Sequence, residues 1–236
     1  QLMRVICEEN LSKYNTVITC PSLDKLVTEE NGNLKADFLK LHVLLIDQVA
    51  GDASIKGAGA DKRQFQRMLK AACRNHPDAH IWIKAHPAAK SGYLTNLKLP
   101  KNVRLLTQTL NPIALLAQVS HVYTVSSHMG FEALMLGKTV HCFGVNWYSG
   151  WGLTEDSGTP KRLFKAVKQR RLAFAATMPT VEASANPILA EKSTKRRQIT
   201  QRLRGIHKKQ ASITANSTFN ATLESLFHSA YIDYSH

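Results

Sequence analysis

SSHMGFEALMLGKTVHCFGVNWYSGWGLTED, residues 126–156, decides how this chain is read. It begins where an apolar, β-branched run ends, HVYTV at 121–125. It then offers two hydroxyls, a glycine, a helix carrying Glu132, a second short strand and an aromatic-glycine loop. Hydroxyls and free backbone N–H groups where a strand meets a helix N-terminus suit an anion. Upstream, QVAGD at 48–52 and KAHP at 84–87 each follow a hydrophobic strand too. Three polar clusters at the ends of three strands imply one nucleotide-binding crevice.

Outward from that stretch, apolar runs predict strands over 41–46, 80–84, 103–106, 121–125 and 139–143. Helices are predicted over 61–75, 111–119 and 130–136, the first starting at Asp61 and ending at Asn75-His76-Pro77. The second carries proline early, at Pro112. This alternation implies a parallel sheet with helices on its faces and ligands outside the carboxyl ends of the strands. A short strand is expected at 17–19, a turn-rich stretch at 21–33, basic helices at 161–175 and 190–210, and an amphipathic helix at 221–231. There is no GxGxxG and no P-loop, so dinucleotide binding and Walker-type hydrolysis gain no support.

The net charge of +14 is unevenly spread over the 236 residues. Residues 157–220 hold 14 Lys/Arg against 2 Asp/Glu, and the rest holds 17 against 15. The globular part is thus nearly neutral. The basic segment fits an anionic lipid surface, an acidic glycan or a solvated helix pair, and no motif for reading DNA or RNA accompanies it. Cys7, Cys20, Cys73 and Cys142 lack C-x-x-C spacing, which argues against a zinc site or a disulfide scaffold and fits a reducing cytoplasm. No signal peptide and no apolar run of transmembrane length is visible. The chain starts at Gln1 and reads as a piece of something longer.

Each cluster has a chemical and a plainer reading. Asp47 and Asp52 flank Gln48 and Gly51, and a carboxylate on such a loop is a candidate nucleophile or base, or else the loop is a turn with Asp52 as a helix cap. Lys84 and His86, two residues apart before Pro87, can hold a phosphate or protonate it as it leaves, or serve as ordinary surface groups. Ser126, Ser127 and Gly130 suit phosphate oxygens, and Glu132 either caps its helix or accepts from ribose hydroxyls. The aromatics at 146–152 either stack on a sugar or base or fold over the sheet end. His128, His141 and Asp156 have poor spacing for a metal, and none is expected.

Together these pieces resemble the capsule polysaccharide β-Kdo transferases, the KpsC family. The matching segments are VLLIDQVAGDASI at 43–55, KAHP at 84–87, NPIALL at 111–116, residues 125–156, and LFHSAYIDYSH at 226–236. The resemblance implies the C-terminal, donor-binding lobe of a GT-B glycosyltransferase, a Rossmann-like parallel sheet with a basic helical extension. It implies Kdo transfer from CMP-β-Kdo, with retention of configuration and no metal, to a lipid-linked acceptor at the cytoplasmic face of a Gram-negative inner membrane, near the capsule export machinery. His86, with Lys84 and Pro87, would contact the CMP phosphate. Ser126, Ser127 and Gly130 would hold its oxygens and Glu132 the ribose. Asp52, Gln48 and His86 would line the catalytic side.

The implied organisation is a remnant of a preceding lobe or linker at 1–40, the nucleotide-sugar lobe at 41–156, a basic insertion at 157–220 and a C-terminal helix at 221–236. In the family another lobe precedes the equivalent of Leu41, and its acidic motif is absent here. The nucleophile of a retaining reaction is therefore expected either at Asp52 or in that lobe. A UDP-sugar-using GT-B or epimerase-like protein and a non-catalytic glycolipid-binding lobe stay open beside the transferase reading. Charge reversal at Lys195, Arg196 and Arg197 is expected to weaken sedimentation with anionic vesicles, and unchanged binding in low salt would refute a lipid role for the insertion.

Overall fold

The computed structural model describes residues 2–12, 17, 19–31, 40–86, 92–95, 97–177, 223–228 and 230–231. Its strands are β1 (His42–Ile46), β2 (His80–Lys84), β3 (Val103–Leu106), β4 (His121–Thr124) and β5 (Thr139–Cys142). They form one sheet in the order β3-β2-β1-β4-β5, and every pairing is parallel. The expected α/β, Rossmann-like class is what the chain adopts. β1 and β2 are buried at every position, as a parallel sheet covered on both faces requires.

One face carries α3 (Ala53–Gly57) and α4 (Lys62–Asn75). Ile55, Phe65, Met68 and Ala72 pack there on Val43, Leu45, Ile81, Ile83 and Tyr123. Asp61 starts α4 as expected, its carboxylate accepting from the N–H groups of Arg63 and Gln64. The other face carries α5 (Pro112–Ala117) and α6 (Met129–Met135) against Leu44, Ile46, Trp82, Val122 and Val140. A long helix, α7 (Lys161–Thr177), follows the aromatic loop where a basic helix was expected. The expected helix at 190–210 lies outside the described residues.

The segment before the sheet differs from expectation. It holds α1 (Leu2–Glu8) and α2 (Leu23–Asn31), the latter where turns were predicted. Met3, Leu23 and Val27 enter the same core as Leu44 and Trp82, so the segment packs on this lobe rather than apart from it. Trp82 Nε1 donates to His42 Nδ1, and His42 Nε2 lies 2.8 Å from Asp24, which ties α2 to the sheet. Val17 and Thr19 form no strand, because their carbonyl oxygens accept from the side chain and backbone of Asn111. A last helix, α8 (Leu223–His228), brings Phe227 into this core, within the stretch where an amphipathic helix was expected. Leu23 is fully buried, so Leu23→Ala is expected to lower unfolding free energy by about 2–5 kcal/mol in urea titration. An unchanged midpoint would detach the first segment from the core.

Candidate functional site

The chain runs outward from β1 to β2 and β3, then returns to lay β4 on the other side of β1. That reversal opens a crevice between the loops after β1 and β4, the usual ligand position in open α/β sheets. A cavity of about 310 Å³ lies there. Its lining includes Gln48, Asp52, Lys84, His86, Ser126, Ser127 and Glu132. The sequence-predicted residues are thus brought together, apart from Gly130, which lies in α6, and Pro87, which lies outside the described residues.

Gln48 and Ser126 clamp the two loops. The Gln48 amide accepts from Ser126 N at 3.0 Å and donates to Ser126 Oγ at 3.0 Å. Ser54 Oγ lies 3.2 Å from the same hydroxyl. Asp47, one residue before Gln48, is 1% exposed and anchors the crevice floor. Its Oδ1 accepts from Gln48 N and Tyr93 N, and its Oδ2 from Leu94 N and Thr95 N, at 2.9–3.2 Å. A Cβ on Gly92 would fall 2.0 Å from Oδ2, so glycine is required there. The sequence shows no structural duty for Asp47, because three of its four partners lie 46–48 residues away in an irregular stretch whose backbone N–H groups carry no sequence signal.

Lys84 ends β2 with only 6% of its surface exposed. Its Nζ donates to the carbonyl oxygens of Ala85 and Gln108, and burial lowers its pKa. Carbonyl dipoles leave most of that positive charge uncompensated, so the site favours an anion. His86 stands half-buried two residues on, at the same cavity. Asp52 is exposed at the rim and caps α3, its Oδ1 accepting from Ser54 N at 2.7 Å. The capping reading of Asp52 is the one the structure shows, and its side chain also lines the cavity.

At the N-terminus of α6 the structure departs from the predicted backbone anion cradle. Ser126 N, Ser127 N, Met129 N and Gly130 N bond to Gln48 Oε1, Thr124 Oγ1, Ser127 Oγ and Ser127 O respectively. These N–H groups serve the loop itself, so the serine hydroxyls, with Lys84 and His86 among the other polar groups lining the cavity, are what this helix start offers an anion. Gly130 has a packing role instead. A Cβ there would lie 2.1 Å from the hydroxyl of Tyr148, a fully buried residue that donates to Ser127 O at 2.6 Å. The aromatic loop thus folds under the switch loop, while Trp147, 37% exposed, leans on Phe131. Glu132 is 2% exposed and its Oε1 accepts from Ser12 Oγ at 2.7 Å. Ser12 reaches it from the segment after α1. His141 does not gather with His128 and Asp156, but with His76 and His121.

A family profile described as "Capsule polysaccharide biosynthesis protein" matches residues 1–186. The chain belongs to that family. It is 42% identical over 160 residues to the capsule polysaccharide modification protein LipA of Neisseria meningitidis, covering 66% of this chain and 22% of LipA. It is 33% identical over 168 residues to the lipopolysaccharide-processing protein LpsZ of Rhizobium meliloti, covering 69% of this chain and 36% of LpsZ. Among solved structures it is similar to Thermosulfurimonas dismutans KpsC, a β-Kdo 2,4 transferase, with a TM-score of 0.58 and 40% identity over 68% of this chain and 48% of that one. The chain therefore spans under a quarter of LipA and about half of that KpsC chain. The resemblance carried by residues 125–156 and KAHP holds at the level of the family.

Asp47→Asn puts an NH₂ group against backbone N–H donors. It is expected to cost about 1–3 kcal/mol of stability in urea titration and to speed amide exchange at residues 92–95. Protection equal to wild type would show that the carboxylate does not hold this segment.

Proposed function

We propose that this chain is the nucleotide-sugar-binding lobe of a capsule glycosyltransferase that moves Kdo from CMP-β-Kdo to a lipid-linked glycan acceptor. The observation that carries the reading is the buried Lys84, beside His86 and the Ser126 and Ser127 hydroxyls, at the switch-point cavity. The donor's phosphate, a diester that becomes a monoester when CMP is released, would compensate the lysine charge there, accept from the hydroxyls and meet the His86 imidazole. Family membership and the 40% identity to a β-Kdo 2,4 transferase support the donor class.

Transfer would break the bond between the Kdo anomeric carbon and the CMP phosphate oxygen. CMP would leave with the electron pair, stabilised by Lys84 and His86, as a carboxylate bonds to the anomeric carbon; the acceptor oxygen would then displace that carboxylate and its proton pass to the released CMP phosphate. Retention of configuration through an adduct needs a carboxylate nucleophile. Three carboxylates line the cavity among the described residues. Asp47 is buried under backbone N–H groups and Glu132 is buried against Ser12, so Asp52 is the exposed candidate in this chain. The cavity, at about 310 Å³, is at the low end for small-molecule sites. A nucleotide-sugar would extend beyond it toward a second lobe, where the acceptor and a further acid have room. We place the protein at the cytoplasmic face of the membrane, with residues 157–220 on anionic lipid.

Calorimetric titration with CMP, UMP, AMP and GMP tests the donor site. CMP is expected to bind preferentially, and Lys84→Ala or His86→Ala to weaken it roughly 10- to 100-fold, the worth of one charge-assisted hydrogen bond, about 1.5–3 kcal/mol. Binding without base preference, or indifferent to both substitutions, would overturn the reading in favour of a UDP-sugar or glycolipid site.

A further inference from the structure

At the other end of the sheet from the crevice, three histidines from three elements converge. His76 caps the C-terminus of α4, His121 opens β4, and His141 lies on β5 opposite Tyr123. One ring nitrogen from each lies within 4.8 Å of the other two, and all three residues are half-buried. We propose that His76, His121 and His141 form a binding site for a divalent transition metal of the zinc class.

The ligand spacing supports the assignment. His121 Nδ1 and His141 Nε2 lie 3.2 Å apart. Two nitrogens each about 2.0–2.1 Å from a tetrahedral metal stand roughly 3.3 Å apart, so this pair already spans one edge of the coordination polyhedron. The rings are also oriented. Tyr123 stacks on His141, with centroids 4.2 Å apart. Its hydroxyl lies 3.0 Å from His76 Nε2 and accepts from Asn75 Nδ2 at 3.2 Å. A ligating imidazole commonly offers its second nitrogen to an oxygen in this way, and Tyr123 would hold His76 with Nδ1 toward the metal.

The donor chemistry selects the class of ion. Three imidazole nitrogens without a carboxylate suit zinc, nickel or copper and not magnesium or calcium, which take oxygen. Burial lowers the pKa of His76 and, with His76 itself the next cause, brings that of His141 to about 4. The charge of Arg74 acts on the Tyr123 hydroxyl beside this cluster. Half-burial leaves a fourth position for water. Bound metal would clamp the end of α4 to β4 and β5 without touching the crevice.

The test uses the 236-residue chain stripped with chelator. Zinc titration is expected to give one bound ion per chain and a higher melting temperature, and cobalt to give the visible ligand-field bands of a tetrahedral nitrogen site. His121→Asn and His141→Gln should abolish both signals, while His228→Gln, on α8, should keep them. Tyr123→Phe keeps all three ligands and tests the positioning role, with an expected loss of about 10- to 100-fold in zinc affinity. Absent cobalt bands, or zinc binding that survives His121→Asn and His141→Gln, would overturn the proposal and leave a hydrogen-bonded histidine cluster.

Discussion

One buried carboxylate, that of Asp47, fixes the floor on which the crevice rests. A carboxylate that is 1% exposed must find compensation inside the protein or lose its charge. Asp47 finds it in four backbone N–H groups, one beside it and three from residues 93–95. The same bonds that solvate the charge anchor a stretch with no regular structure to the end of β1. The stacking of Tyr93 on Phe65, with centroids 4.3 Å apart, fastens that stretch to α4 as well. Electrostatic need and loop placement are here one interaction.

Directly after Asp47, the Gln48 amide bridges to both polar groups of Ser126. β1 and β4 are neighbours, but their following segments leave toward opposite faces, α3 on one and α6 on the other. A crevice must open between them, and a side chain able to donate and accept at once can fix its width. Gln48 thus clamps the crevice whose catalytic side the family resemblance has it line. The order of the sheet makes the opening, and one amide sets its dimension.

Much of this was legible before any coordinates. β2 and β3 fall within the predicted bounds because a buried parallel strand is a short apolar run between turn residues, and α4 because Asp61 caps a clean helical stripe. Strand-end logic alone gathered Gln48, Lys84, His86, Ser126 and Glu132. Long-range backbone bonding was not legible. Asp47 reads as a loop aspartate until Tyr93, Leu94 and Thr95 turn their N–H groups to it. Gly130 reads as a phosphate glycine until Tyr148 occupies the space of its missing Cβ. The helix at 23–31 was hidden by its polar residues, since few apolar positions anchor it: Leu23 and Val27 are buried and Leu26 packs beside them, with Asp24 contacting His42 and Leu23 N donating to Gln118 Oε1.

Segments from near both ends of the chain meet at α6. Ser12 bonds Glu132, and Tyr231 lies 2.6 Å from His128 through its hydroxyl, which burial, with the Glu132 charge next, pushes up to about 12. A second recess, about 430 Å³, is lined by Ile6, Leu11 and Tyr231 and shares Ser12, His128 and Glu132 with the crevice. Glu132 thus stands between two spaces rather than at the bottom of one. A ribose held by Glu132, as the family resemblance implies, would compete with Ser12 for Oε1 and so exchange one hydrogen bond for another. The gain is the difference between two bonds each worth about 0.5–1.5 kcal/mol net, not the worth of either. For the proposed nucleotide, affinity would then rest mainly on the anion beside Lys84, whose Nζ otherwise faces carbonyl oxygens.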